Sequence, residues 1–330
     1  MIELFKVSIC MITYNHEKFI AKAIEGVLMQ KTNFHFDLII GEDCSSDNTR
    51  KICIDYKNKY PENIILRLPK ENLGCEQNFV QNLNVSIDGY KYCAMCEGDD
   101  YWTDPLKLQK QVDYLQENHT CGLVYTNVQI FEESSQSLLA VIPRFVKNEA
   151  EIVKELLKSK YIEFVSILMR TQTLKKLLID YLYEEFANNV ILDTRLILEF
   201  AHQSKIGYIA DTTAVYRHHL GGITRPTNIN KYLKMINESY ELRKKFVTKY
   251  QYSKQLLGVP VCNFNRAIVF KAYETKNFLL SLKIISNIKI IDLLRFNKSV
   301  RFENKFDFKI IVKFFLIITG LRSFILSLKK

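Results

Sequence analysis

The order of apolar patterns along the first 130 residues constrains this chain more than any other feature. Residues 7–12 form a short apolar run, after which Phe19, Ile20, Ala23, Ile24, Val27 and Leu28 recur at helical spacing. Residues 38–41 read as a second buried strand, and Ser45-Ser46-Asp47 offers caps for a helix carrying Ile52 and Tyr56. Residues 64–68, 90–96 and 123–130 read as further strands and residues 76–85 as a helix. Asp104-Pro105 opens another helix that runs to about Glu117. Strands that alternate with helices in this way predict a mostly parallel sheet with helices on both faces. Ligands of such sheets bind beyond the C-terminal ends of the strands.

Composition narrows the class. With 330 residues, 48% hydrophobic and 25% charged, the chain can bury a core, and wholesale disorder is excluded. Eleven Gly and six Pro are too few for a collagen-like or low-complexity chain. The eight Cys are scattered, and residues 1–6 lead straight into an apolar run, so we expect reduced thiols, no signal peptide and a cytoplasmic protein. Cys93 and Cys96 lack a second Cys pair at ligand spacing and read as core packing.

Charge divides the chain near residue 225. Residues 226–330 hold 21 Lys and Arg against 6 Asp and Glu, a net of +15, whereas residues 1–225 net −5. The expected organisation is a catalytic domain over 1–225 and a basic helical region over 226–330, with helices near 230–250, 267–285 and 308–328. The longest uncharged run of that last stretch, residues 314–321, has eight residues, against the ~18–20 that cross a bilayer. Apolar and basic residues together predict peripheral docking on an anionic membrane surface, at the inner face of the cell membrane. Packing against the domain is the alternative. No nucleic-acid-binding motif frames the charge, so nucleic acid is not an expected partner.

Polar clusters stand at four successive strand ends: Thr13-Tyr14-Asn15, Glu42-Asp43-Cys44-Ser45-Ser46-Asp47, Asn72-Leu73-Gly74 and Glu97-Gly98-Asp99-Asp100. Each alone is an ordinary loop, but their placement converges on one crevice. Three carboxylates within four residues repel one another, and Gly98 lets the backbone approach closely. A hard divalent cation bridged to phosphate would relieve that repulsion, which points to magnesium or manganese.

Together these segments resemble the inverting family-two glycosyltransferases, which have the GT-A nucleotide-sugar fold. Thr13-Tyr14-Asn15 matches the end of that family's first strand. Residues 42–49 match its Asp-Asp-Gly-Ser-x-Asp-x-Thr segment, and residues 97–102 match its metal motif. Glu42 and Glu97 stand where Asp is usual, and Cys44 where Gly is usual. The resemblance implies that Thr13, Tyr14, Asn15, Glu42, Asp43, Asn72 and Asn78 hold the nucleotide. It also implies that Glu97 lies near the ribose or metal, that Asp99 binds the metal and that Asp100 supports the loop. Asp193 corresponds to the general base, a role compatible with capping the helix that follows. In Tyr216-Arg217-His218-His219, His219 corresponds to a residue near the metal or diphosphate and Arg217 to a diphosphate contact.

The implied protein is an α/β GT-A enzyme with a mostly parallel mixed sheet flanked by helices. It would be a metal-dependent inverting transferase using a nucleoside-diphosphate sugar, UDP-sugar favoured, and a saccharide acceptor that a lipid could carry. The rivals are a nucleotidyltransferase, disfavoured because residues 13–18 contain no Gly for a triphosphate loop, and a nucleotide-sugar-binding scaffold without chemistry.

Overall fold

β1 (Lys6–Thr13) is flanked by parallel β2 (His35–Glu42) and parallel β4 (Tyr92–Met95). The computed structural model describes residues 5–142, 151–158, 162–181, 192–220, 222 and 229–257. The expected helices at 267–285 and 308–328 lie outside the described residues. The chain divides into two units, one of Met1–Leu156 with Lys160–Arg225 and the other of Leu157–Ser159 with Pro226–Lys330.

In the first unit β3 (Ile64–Arg67) extends the parallel part of the sheet beyond β2. On the other side β4 pairs antiparallel with β8 (Leu168–Arg170), which pairs antiparallel with β6 (Cys121–Glu132). β6 runs parallel to β9 (Lys205–His218), and the two-residue β5 (Tyr101–Trp102) closes the order β3-β2-β1-β4-β8-β6-β9-β5. β7 (Ser137–Ile142) forms an antiparallel ribbon with β6. The sheet is thus parallel in its first half and mixed in its second.

Helices cover the sheet because their apolar stripes need burial. α1 (Ile20–Leu28) presents Ile20, Ala23, Ile24 and Val27, all 0% exposed, to the core that also holds Ile9, Met11, Leu38 and Ile40. α2 (Thr49–Lys59) has Asn48 at its N-cap without a side-chain cap bond; of the expected Ser45-Ser46-Asp47 caps, Asp47 accepts from the Thr49 amide from one residue farther out. α3 (Cys75–Ile87) is tied to the sheet by polar side chains. Asn82 donates to the Met11 and Ile39 carbonyls at 3.0 and 2.9 Å, and Asn78 donates to Gly41 at 2.8 Å. α4 (Lys107–Glu117) starts three residues after Asp104, whose carboxylate accepts from the Leu106 amide in the turn before it.

Among the described residues, α5 (Ile152–Leu157), α6 (Thr171–Tyr181) and α7 (Leu192–Gln203) complete the helices up to β9. α8 (Ile229–Lys249), the helix expected over 230–250, belongs to the second unit. Cys93 and Cys96 are fully buried, and the seven described cysteines are free.

Register positions the site. Thr13 pairs with Glu42, so β1 and β2 end side by side, and Cys10 pairs with Met95, so β4 delivers the carboxylate loop to the same rim. Pairing of Tyr101 with Val215 brings the end of β9 against that loop.

Candidate active site

The rim encloses a cavity of about 340 Å³, within the range of small-ligand sites. Thr13, Tyr14, Asp43, Asn72, Asn78, Glu97, Asp99, Arg217 and His219 line it. Asn15, Glu42, Asp100 and Asp193, also singled out in the sequence, do not.

Each of those four has another occupation. The Asn15 Oδ1 accepts from the Ser46 amide at 2.8 Å, which joins the loops after β1 and β2. Glu42 is 0% exposed and its carboxylate is taken up by Arg50 and by the Ser45 amide at 2.7 Å. Asp100 is buried and accepts from the Arg217 amide at 2.8 Å. Asp193 lies in the first turn of α7, where Oδ1 accepts from the Thr194 amide at 2.6 Å. Its charge nonetheless reaches Glu97 and Glu163.

The cavity wall is preorganised. Asp43 accepts from the amides of Leu73 and Gly74 at 2.8 and 2.9 Å, and Asn72 donates back to the Asp43 carbonyl at 2.9 Å. Arg217 is a strut. Nε donates to the Asp99 carbonyl at 2.8 Å, one terminal nitrogen pairs with Glu133 at 2.9 Å, and the guanidinium lies over the Phe19 and Tyr101 rings at 4.8 and 5.0 Å. Glu133 carries no signal in the sequence that would link it to Arg217, since 84 residues separate them.

Gly98 owes its identity to a close approach. A Cβ there would stand 2.6 Å from the Thr13 hydroxyl and 3.1 Å from the His16 ring. The acidic loop therefore packs directly on the end of β1.

Three ionisable side chains meet over that loop. The His219 Nε2 faces the Asp99 Oδ2 at 3.0 Å and the His16 Nε2 faces the same oxygen at 3.8 Å. Burial works to raise the Asp99 carboxyl, but the His219 hydrogen bond and the His16 charge outweigh it and hold it below its usual range. The hydrogen bond to Asp99 raises His219, whereas burial lowers His16. Burial, then the charges of Asp99 and Asp193, push Glu97 well above the usual carboxylate range. Burial, then Asp99 and Glu97, does the same to Asp100.

These residues fit a divalent cation. The His219 Nδ1 lies 3.1 Å from the Leu220 carbonyl, which can only accept, so Nδ1 can keep its proton while Nε2, which holds the hydrogen bond to Asp99, gives up its own to a cation. An imidazole whose other nitrogen donates to a carbonyl is the usual arrangement of a metal ligand. His16, Asp99 and His219 each offer an atom within 4.8 Å of the others, and so do Glu97, Asp99 and Asp100. His16 was not legible as a site residue, because a single His between Asn15 and Glu17 carries no pattern. Glu163, whose carboxyl is pushed up to about 7 by burial and by Asp193, was not singled out in the sequence either, although an acid between Ile162 and Phe164 could have drawn notice.

A mixed sheet with a strand-end cavity of this kind is the GT-A glycosyltransferase fold. Residues 1–349 of TarS from S. aureus, solved in complex with UDP-GlcNAc, superpose with a TM-score of 0.50 at 14% identity, covering 84% of this chain and 90% of that one. The mannosyltransferase PcManGT from Pyrobaculum calidifontis, solved with GDP-Man and Mn2+, gives 0.52 at 12% identity, covering 86% and 80%.

The chain belongs to glycosyl transferase family 2, whose profile matches residues 8–178. An uncharacterized protein of Mycobacterium tuberculosis strain H37Rv is 34% identical over 217 residues, 66% of this chain and 60% of the relative. The match therefore spans less than two thirds of that relative's length. Among the described residues, no helix is long and apolar enough to cross a membrane.

Proposed function

We propose that the chain is a metal-dependent inverting glycosyltransferase. It moves a sugar from a nucleoside-diphosphate donor, UDP-sugar favoured, to an acceptor hydroxyl in cell-surface polysaccharide synthesis. The observation that carries this reading is the Asp99–His219 contact of 3.0 Å inside a cavity that also presents Asp43, Asn72 and Asn78. The nucleotide sugars named for the TarS and PcManGT structures, and the Mn2+ of the latter, support it.

Asp43 and the amides it fixes would shape the wall for the nucleoside, and Thr13 and Asn78 the floor. Asp99 and His219 would hold a magnesium or manganese ion, which when bound would neutralise the charge gathering on the departing diphosphate. Arg217 keeps Asp99 in place through the Asp99 carbonyl, as Asp100 keeps Arg217. Asp193 would accept the acceptor's proton as its hydroxyl oxygen attacks the anomeric carbon. The bond from that carbon to the diphosphate breaks with its electron pair on the phosphate oxygen. One displacement inverts the anomeric centre and requires no covalent nucleophile.

The second reading, a scaffold that binds nucleotide sugar without turnover, draws on Glu42 being occupied by Arg50 and on Asp193 standing off the cavity wall. A panel of sugar nucleotides assayed with Mn2+ for release of nucleoside diphosphate, with and without saccharide acceptors, separates the two. The expected outcome is metal-dependent turnover that Asp99→Asn abolishes while circular dichroism is unchanged. Asp193→Asn should lower kcat at least ~100-fold with donor affinity nearly unchanged. Binding without turnover across the panel would leave the scaffold reading, and near-normal turnover by Asp193→Asn would remove Asp193 as the base.

A further inference from the structure

We propose that His16 is a third protein ligand of the cation, and that the resulting face of two imidazoles and one carboxylate selects manganese, cobalt or zinc over magnesium. This rests on the metal-dependent reading above and goes beyond it in ligand set and metal preference.

Three features of the geometry carry it. First, both imidazoles aim Nε2 at one oxygen, Asp99 Oδ2, at 3.0 Å for His219 and 3.8 Å for His16. Neighbouring ligands around a cation with bonds of about 2.1 Å stand roughly 3 Å apart in an octahedral shell and slightly farther apart in a tetrahedral one. The two distances need only a small adjustment of His16. Second, the rings are perpendicular, at 89° with centroids 6.0 Å apart, so they do not stack, and each offers a ligand atom within 4.8 Å of the other's.

Third, His16 is held from behind. Its amide donates to the Thr49 hydroxyl at 2.8 Å and its carbonyl accepts from the Phe19 and Ile20 amides at 2.9 Å each. Its Nδ1 meets the Thr13 hydroxyl at 3.2 Å, which leaves Nε2 as the forward atom. The missing Cβ at Gly98 keeps that ring position open. His219 is braced in the same way by the Leu220 carbonyl and by Phe19, whose ring lies 4.7 Å away. A solvated surface histidine would need none of these supports.

The chemistry of the donor set then fixes the preference. Magnesium favours oxygen ligands and sheds water reluctantly, whereas imidazole suits later first-row metals. Ligands on one face leave the remaining positions open for phosphate oxygens and water.

The test titrates the full chain with Mn2+ alone, following loss of the free-ion resonance, and repeats the titration with Mg2+ as competitor. Pulsed electron resonance of the Mn2+-loaded protein then counts coupled histidine nitrogens. The expected result is two coupled imidazoles in the wild type and one in His16→Gln. That variant should bind Mn2+ at least ~10-fold more weakly, since even outer partners of metal ligands are worth that much. Its Mg2+ affinity should change less than about 3-fold, because water can replace a nitrogen ligand of that ion. A single imidazole in the wild type, or equal Mn2+ affinity in a folded His16→Gln, would overturn the assignment and leave metal dependence standing. The wild-type count decides alone if the variant does not fold. No Mn2+ binding by the wild type, with UDP present or absent, would instead overturn the metal-dependent reading itself.

Discussion

At residue scale, the departure at Cys44 has a measurable cost. Cys44 has φ of 58°, the left-handed region where a Cβ is disfavoured and Gly is at ease. Asn15, which closes the facing loop, has φ of 55° but is of a type that tolerates this conformation. The family's usual Gly at position 44 is thus explained by backbone geometry, and the Cys side chain gains in return only a weak contact with the Lys70 carbonyl at 3.7 Å. Cys44→Gly should raise unfolding free energy by about 0.5–1 kcal/mol, the strain relieved less the greater entropy of an unfolded Gly. Urea unfolding with matched slopes checks it, and an unchanged or lower midpoint would contradict it. The same scale shows where sequence reasoning about the site stops. Asp99 was legible because three neighbouring carboxylates need a reason to be together. His16 and Glu133 were not, because their meaning lies in contacts with His219 and Arg217, residues more than 80 positions away.

At the scale of elements, α4 is pinned by an ionisable group in the core. Lys107 is 0% exposed, donates to the Gln111 side chain at 2.5 Å and to the Ser166 carbonyl at 3.4 Å, and lies 4.4 Å from the centre of the Trp102 ring. Gln111 reaches the same carbonyl at 2.8 Å and Trp102 donates to Val165 at 3.0 Å, so α4 and β5 jointly fix the short turn Phe164–Ser166 beside Glu163. Burial lowers the Lys107 ammonium from 10.5 to about 7. Between those values the unfolded chain holds a proton that the folded one lacks, so this group makes stability rise with pH. The Lys107→Met variant loses that contribution. Urea midpoints compared from pH 7 to 8.5, where ionisation of unfolded thiols is common to both proteins and cancels, should show wild type gaining on the variant by up to about 1.4 kcal/mol per pH unit. Parallel curves would show that Lys107 is not held near neutrality.

The elements also divide by legibility. β1 to β4 and α1 to α4 could be read, because buried parallel strands are short apolar runs and the helices carry apolar stripes. β5 and β8 have two and three residues, too few for any period, and β7 pairs at the edge with Leu138 and Leu139 exposed. β9 interrupts its apolar residues with Asp211, Thr212 and Thr213, which belong to an irregular stretch of its register with β6. Pairing partners supplied by distant strands, not local pattern, make these segments strands.

At the scale of the whole molecule, charge is distributed unevenly. Residues 226–330 carry +15 against −5 for the remainder. Within residues 308–330, Lys309, Lys313, Arg322, Lys329 and Lys330 accompany Phe308, Phe314, Phe315, Phe324 and several Ile and Leu. A basic side chain near an anionic lipid surface contributes about 1 kcal/mol, an attraction that falls within a Debye length of about 8 Å at physiological salt. Five such contacts with partial burial of the Phe and Ile side chains would suffice for the reversible docking that the sequence predicts. The full chain should therefore sediment with vesicles of anionic lipid, and far less with neutral vesicles or at raised salt. Replacing the five basic residues with Gln should weaken that binding, because each substitution removes one charge from the surface attraction. Turnover on a soluble acceptor should stay intact, because the cavity is lined from residues 12–222. Equal binding to neutral and anionic vesicles would exclude the electrostatic part of this reading. Loss of turnover together with a lowered melting temperature in the five-residue variant would assign the same lysines and arginine to packing within the protein instead.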